Sequence, residues 1–221
     1  MMDVESYMRS IVRSLQNRFA DRLLYVGLQG SYLRGEATEH SDIDVVVILD
    51  DLSAQDLAAY KEIISCLASP EKSCGFICGR KEMAHWNPLE VCNFLHGTKD
   101  YYGKLTQYLP QYNETDIVNF IKLSVGNLYH EITHRYIHAD IQKNKSKLSA
   151  SYKNVFFILQ TLYYLKTGMF YPTKTELIKN LSGRDKVMME RAAKLSGGDE
   201  FDLMEEFAAL LTWCQEILHS L

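Results

Sequence analysis

Residues 23–49 read LLYVGLQGSYLRGEATEHSDIDVVVIL, and this stretch decides the fold of the chain. It begins with an apolar run at residues 23–28, whose length and character are typical of a buried strand. Gly30 and Ser31 then interrupt the run, and a second apolar run follows at residues 45–49. The stretch therefore predicts two strands joined by a polar, glycine-containing segment.

Two aspartates lead into the second apolar run. Because side chains alternate along a strand, Asp42 and Asp44 point to one face while Ile43 points to the core. Adjacent carboxylates repel each other unless a cation lies between them. Proteins commonly hold Mg²⁺ with one or two carboxylates plus substrate phosphates. We therefore predict that Asp42 and Asp44 bind Mg²⁺ or Mn²⁺, and that all-oxygen ligation disfavours Zn²⁺.

The turn before this acidic pair suits a phosphate. Gly30 lacks a Cβ and lets the backbone approach a phosphate closely. Ser31 can donate its hydroxyl, or begin a helix whose N-terminus attracts anions. Lysine and arginine often bind phosphate as charged donors. We predict nucleotide binding by Gly30, Ser31, Arg34 and Lys153, with Lys99 as a competing cation; an ordinary surface charge is the alternative for each of the three cations.

In this stretch a strand is followed by a Gly-Ser turn, ten further residues and Asp-x-Asp at the start of a second strand. This order resembles the nucleotidyltransferase superfamily that includes DNA polymerase β. More closely it resembles the small bacterial members, namely kanamycin nucleotidyltransferase and the minimal nucleotidyltransferases paired with HEPN domains. The resemblance implies transfer of a nucleoside monophosphate from a nucleoside triphosphate, with ATP as the expected donor, to an acceptor hydroxyl. A tight turn followed by a solvated strand is the alternative interpretation.

The resemblance also implies a third carboxylate on a neighbouring strand. Glu90 is our candidate, as a catalytic residue and metal ligand beside Asp42 and Asp44, because residues 89–95 (LEVCNFL) alternate like a fourth strand. Glu82 and Asp100 are the rivals. The third predicted strand, CGFIC, carries no acid. Without a third acid the domain would bind nucleotide and not turn it over.

The sequence predicts an α+β protein with two domains. Residues 1–110 would form the nucleotidyltransferase-fold domain, a mixed sheet with helices, and residues 111–221 an α-helical bundle. The bundle resembles the HEPN-like or substrate-binding domains that accompany small nucleotidyltransferases. Helix patterns cover residues 4–19, a segment capped by Ser53, and then 114–142, 149–167, 174–181, 185–196 and 200–219, with a basic loop at 142–147.

Composition limits the partners and the cellular compartment that we expect for this chain. A net charge of −4 gives no global basic field, so nucleic acid is not an expected partner. Five cysteines, an odd number without a zinc-like pairing, suggest reduced thiols in a cytosolic protein. No apolar stretch reaches the ~20 residues of a membrane span. A homodimer is left open.

One further motif competes for a metal. His130, Glu131 and His134 match H-E-x-x-H, in which two histidines one helical turn apart bind zinc and the glutamate acts as base. A zinc metalloprotease is therefore a remote alternative. The same helix could instead line a substrate cleft with Tyr129 and Arg135 and supply a base, or form a solvated face.

From these patterns we predict an enzyme that moves a nucleoside monophosphate onto a hydroxyl of a small molecule such as an aminoglycoside-like antibiotic. The second hypothesis is a regulatory protein, an antitoxin-like nucleotidyltransferase that modifies another protein or only binds nucleotide. The sequence does not choose the acceptor, because the helical half carries no diagnostic motif.

Overall fold

A computed structural model describes residues 2–197 and 200–221 of the chain. The chain divides into two compact units, Met1–Tyr112 and Asn113–Leu221. The first is a mixed α/β unit and the second is helical, in agreement with the predicted α+β class. No described helix has both the length and the apolar character needed to cross a membrane.

The first unit is built on a four-stranded sheet in the order β3-β2-β1-β4. β1 is antiparallel to β2 and to β4, whereas β3 is parallel to β2. The strands are β1 (Leu23–Gln29), β2 (Ile43–Leu49), β3 (Ser73–Gly79) and β4 (Lys99–Tyr102); the helices are α1 (Val4–Phe19), α2 (Gly30–Arg34), α3 (Ala54–Ser65), α4 (Arg80–Ala84) and α5 (Pro88–His96).

Alternation along β2 divides the core between the two faces of the sheet. Val45 and Val47 are buried in the cluster that includes Met8 of α1, whereas Val46 and Ile48 pack in a cluster on the other side. Asp44 shares the face of Val46 and Ile48 because it lies an even number of residues away. It is half-buried at the start of the strand.

The predicted fourth strand at residues 89–95 is wrong, because this segment is helix α5. The Asn87 side chain accepts a hydrogen bond from the Leu89 amide at 3.2 Å, and Pro88 occupies the first helical position. Both features favour a helix start. The actual fourth strand is β4, a half-exposed edge strand whose polar sequence, KDYY, shows no apolar alternation.

The second unit contains five helices within the described residues: α6 (Glu114–His138), α7 (Ile141–Thr167), α8 (Lys174–Asn180), α9 (Gly183–Ser196) and α10 (Leu203–Ser220). The loop predicted at residues 142–147 is instead the first part of α7. Asp140 caps that helix by accepting a hydrogen bond from the Lys143 amide at 2.7 Å. Burial of Asn144 and Leu148 on the inner side then holds the basic segment in the helix.

Candidate nucleotide and metal site

The antiparallel pairing of β1 and β2 brings the Gly-Ser turn to the acidic pair. Gln29, the last residue of β1, is paired with Asp44 near the start of β2. Gly30 and Ser31 follow directly as the first residues of α2, and Asp42 lies just before β2. Residues ten or more apart in sequence are thus neighbours at one end of the sheet.

Gly30 shows how closely the turn approaches the acid. Its φ is +72°, a left-handed conformation that glycine adopts without steric cost. A Cβ at this position would overlap the Asp44 carboxylate, with Oδ2 as its nearest neighbour. The site therefore requires glycine for two reasons, the backbone conformation and the space taken by Asp44.

The charge on Asp44 is poorly compensated. Burial raises the pKa of the Asp44 carboxyl, and the nearby charge of Asp42 raises it further. A hydrogen bond from Cys74 and the charge of Arg34 act in the opposite direction, lowering that pKa. A partly buried Asp44 carboxylate beside a second acid is a donor set that fits a divalent cation, because the cation would relieve both the burial cost and the repulsion.

Cys74 is a neighbour of this site that sequence reasoning missed. The parallel register of β2 and β3 pairs Asp44 with Cys74, and the thiol donates a hydrogen bond to the carboxylate. Partial desolvation, aided by the charges of Asp44 and Asp42, raises the pKa of the thiol. Alternation along CGFIC places Cys74 and Cys78 on one face of their own strand. It could not indicate which residue of β2 stands opposite.

The predicted phosphate-binding cations have different surroundings. Arg34 forms an ion pair with Glu36, with its Nε 3.1 Å from Oε2, and it acts electrostatically on Asp44. Lys99 binds Glu5 at 2.9 Å, so its ammonium already has a carboxylate partner. Lys153 is exposed on α7 of the second unit. Its contact with a triphosphate stays a prediction.

Glu90 does not complete a carboxylate triad. It lies in the first turn of α5 and not on a strand, and its Oε2 accepts a hydrogen bond from Trp86 Nε1 at 2.7 Å. Within residues 2–197 and 200–221 no three histidine, cysteine, aspartate or glutamate side chains are grouped to hold a metal ion. The assignment of Glu90 as a metal ligand depended on a strand that is absent, and we withdraw it.

The rival acids are also engaged elsewhere. Asp100 is paired with Gly27 across β4 and β1, and its carboxylate accepts a hydrogen bond from the Tyr25 hydroxyl at 2.8 Å. Lys104 lies 3.3 Å from the same carboxylate. Glu82 lies on α4, next to Gly79, the last residue of β3. Cys74 lies at the other end of that strand. Neither acid stands beside Asp44 in the sheet register.

The H-E-x-x-H segment is helical, as a zinc motif requires, but its glutamate is occupied. Glu131 accepts hydrogen bonds from Arg135 Nη1 at 2.6 Å and from the Ser151 hydroxyl at 2.9 Å. The rings of His130 and His134 are exposed, with centroids 5.7 Å apart, and they line a cavity of about 440 Å³. His138 lines the same cavity, but among the described residues no three such side chains are grouped to hold a metal ion, so the arrangement does not support a protease.

Comparisons with known proteins agree with the geometry of the first unit. Residues 8–73 match the family model described as a nucleotidyltransferase domain. Two proteins of Methanocaldococcus jannaschii named "Putative protein adenylyltransferase" are each 31% identical, over 78 and 67 residues. These matches cover 32% and 30% of this chain, and 78% and 65% of the archaeal proteins.

The fold of the chain also resembles a solved structure, that of spectinomycin adenyltransferase AAD(9) from Enterococcus faecialis with ATP and spectinomycin. The TM-score is 0.61 at 15% identity, over 97% of this chain and 99% of that one. At this identity the likeness is one of fold. Together with the family match and the archaeal relatives, it accounts for the strand pairing and the Gly-Ser and Asp-x-Asp motifs. The chain belongs to the polymerase-β-like nucleotidyltransferase family and is a nucleotidyltransferase enzyme.

Proposed function

We propose that this enzyme transfers a nucleoside monophosphate from ATP to a hydroxyl of a small molecule of the aminoglycoside type, with a divalent cation on Asp42 and Asp44. The observation that carries the proposal is the pairing of Gln29 with Asp44, which sets the Gly-Ser turn against the acidic pair. Phosphoryl-type transfer depends mainly on positioning and charge neutralisation, and this arrangement suits both.

Each residue of the site has a distinct role in this proposal. Asp42 and Asp44 hold the cation, which when bound supplies charge neutralisation on the triphosphate and activation of the acceptor oxygen. Gly30 leaves the backbone open to a phosphate oxygen, and Ser31 donates its hydroxyl to the distal phosphates. Arg34, whose charge already acts on Asp44, lies near enough to share the balancing of phosphate charge.

A small-molecule acceptor is supported by the fold likeness, which extends over both units. The solved neighbour contains ATP and spectinomycin, and its fold matches nearly the full length of this chain. Since the helical unit is part of that likeness, we propose that it contributes acceptor contacts in this enzyme.

A protein acceptor is the second candidate function. It is favoured by the archaeal relatives, whose name describes protein adenylyltransferases and whose sequences match this chain more closely than the solved neighbour does. In that case the helical unit would recognise a polypeptide, and the accepted group would be a side-chain hydroxyl.

The test is a transfer assay with ATP labelled at the α-phosphate. The enzyme is incubated with spectinomycin, with other aminocyclitol and aminoglycoside antibiotics, or with no added acceptor. We expect a labelled small-molecule product that requires a divalent cation and that Asp42→Asn and Asp44→Asn both abolish. Label on protein alone would favour the second candidate. Equal transfer by wild type and both variants would contradict the assignment of the site.

A further inference from the structure

The atom facing Asp44 from the neighbouring strand is a sulfur. β3 supplies the residue in register with Asp44, and that residue is Cys74. Its side chain is exposed, and the parallel register places it beside Asp44 on the same face of the sheet. An ion bound by that carboxylate on the side of β3 would therefore lie next to the Cys74 side chain.

The close approach of β3 is set by Gly75. Its φ is +108°, a conformation that other residues rarely adopt, and a Cβ there would overlap the Val45 carbonyl oxygen. With glycine at this position β3 can lie directly against β2. The adjacent Cys74 is thereby held beside Asp44 by the backbone and not by a flexible loop.

We propose that Cys74 Sγ is a ligand of the ion bound by Asp44, so that this site binds thiophilic divalent ions such as Co²⁺ and Zn²⁺ more tightly than Mg²⁺. The inference rests on the proposed function, because it presumes an ion on the acidic pair. Sulfur ligands select softer ions, whereas carboxylates alone suit Mg²⁺ and Mn²⁺. The thiol proton is released to solvent as the sulfur binds the ion.

This reverses the metal preference expected from the sequence. That expectation assumed only oxygen ligands, because the register of β3 against β2 was unknown. The other ligands need not be a preformed protein cluster, since one or two protein ligands plus substrate phosphates commonly hold a catalytic ion. Asp44, Cys74 and the triphosphate are sufficient, with Asp42 at the solvent side.

The chain offers a matched control for the sulfur. Cys66 is also a free, exposed thiol, but it lies at the end of α3 and away from β2. Cys78, Cys92 and Cys214 are buried. Replacing Cys66 or Cys74 with serine therefore removes one accessible thiol in each case, and only one of the two is in contact with Asp44.

The experiment is a Co²⁺ titration of the full chain with a non-hydrolysable ATP analogue and no reducing agent, monitored by absorption spectroscopy and calorimetry. A thiolate bound to Co²⁺ gives a charge-transfer band that carboxylates do not give. We expect the band in wild type and Cys66→Ser, and its loss in Cys74→Ser and Asp44→Asn. Thermal melting of each variant checks that the fold is retained.

Metal preference gives a second readout. In Cys74→Asp the Zn²⁺ affinity should fall by about tenfold to a hundredfold while Mg²⁺ binding strengthens or is unchanged. Calorimetric binding that requires Asp44, with no charge-transfer band, would overturn the role of Cys74 and leave the acidic site intact. A band that persists in Cys74→Ser would overturn it as well. If no ion binding to the wild-type protein depends on Asp42 or Asp44, the proposed function itself is overturned.

Discussion

Two regions of this chain carry a sequence motif for a metal, and the structure treats them differently. In β2, beside the end of β1, the Asp44 residue is half-buried, and burial raises the pKa of its carboxyl. Gly30 and Cys74 are its neighbours on the two adjoining segments. On α6, by contrast, the rings of His130 and His134 are exposed to solvent. The first region keeps a carboxylate partly out of contact with water, whereas the second leaves its histidine side chains in contact with solvent.

This comparison indicates that a functional site is better recognised by side chains held in a costly environment than by the presence of a motif. Holding a desolvated carboxylate beside another acid costs stability, and such arrangements cluster at functional sites. An exposed histidine pair at helical spacing costs nothing and arises readily by chance. In the H-E-x-x-H segment, Glu131 is further committed to Arg135 and Ser151 as an ordinary structural carboxylate.

Breaking the constrained region should have the largest effect. We predict that Asp44→Asn lowers the rate of nucleotidyl transfer by more than about a hundredfold, because it removes charge directed at the reaction centre. The same change should raise the melting temperature in the absence of divalent ions, since it removes a partly desolvated charge. Transfer assays and calorimetric melting check both parts. A variant that lost activity and stability together would indicate a structural role instead.

The turn allows a sharper test, because the chain contains a matched pair of glycines. Gly30 and Gly35 have φ values of +72° and +68°, but only at Gly30 would a Cβ meet Asp44; at Gly35 nothing lies within 4 Å. Alanine should cost about 1 kcal/mol of folding stability at Gly35, where only the backbone conformation is strained, and more at Gly30, where the Cβ would also displace the Asp44 carboxylate. Only Gly30→Ala should also weaken binding of a non-hydrolysable ATP analogue, as measured by calorimetric titration.

Ser31→Ala tests the same turn without backbone strain. Removing one hydrogen bond to a charged phosphate should cost about 1.5–3 kcal/mol, or roughly tenfold to a hundredfold in affinity, at nearly unchanged melting temperature. If Ser31→Ala and Gly30→Ala both bind the analogue as wild type does, the triphosphate binds elsewhere on the chain.

The pH dependence of stability should show the burial of Asp44. Because its pKa is raised in the folded state, that state binds the proton more tightly than the unfolded chain does. The ionised carboxylate therefore destabilises the fold as pH rises above about 4, the ordinary range of an aspartate. We predict that the stability advantage of Asp44→Asn grows with pH through that window and then levels off. Denaturant unfolding at a series of pH values measures it, and a constant difference would contradict it.

The smallest effect is expected on α6. The double variant His130→Gln/His134→Gln should keep nucleotidyl transfer within about twofold, because exposed side chains away from special features contribute little. Purified wild-type protein should carry no stoichiometric zinc at this helix, as measured by elemental analysis before and after the double substitution. Zinc that disappears with the two histidines would restore the metalloprotease hypothesis.

Much of the first unit could be predicted because its signals are local. Apolar runs identified β1, β2 and β3, and the resemblance of the Gly-Ser and Asp-x-Asp motifs to the nucleotidyltransferase family implied that this turn meets these acids. Helix α5 was missed because the apolar residues of LEVCNFL fit an alternating as well as a helical pattern. The pair Asn87-Pro88 begins this helix, although an Asn-Pro pair also commonly marks a turn or loop.

Two other features lie beyond local signals. The edge strand β4 is held by pairing with β1 and buries little apolar surface of its own, so its sequence resembles a loop. The contact between Cys74 and Asp44 depends on the register of two parallel strands joined through α3. Register of that kind is set by packing of the whole unit, and a one-residue shift would have turned Cys74 to the other face.

The central claim is that Asp42 and Asp44, and not the histidines of α6, hold the divalent ion with the triphosphate. The most direct measurement is a Mn²⁺ titration followed by electron paramagnetic resonance, in the presence of a non-hydrolysable ATP analogue. We predict stoichiometric binding in wild type and in His130→Gln/His134→Gln, and none in Asp42→Asn/Asp44→Asn. Binding that survives loss of both aspartates but disappears with the two histidines would contradict the account.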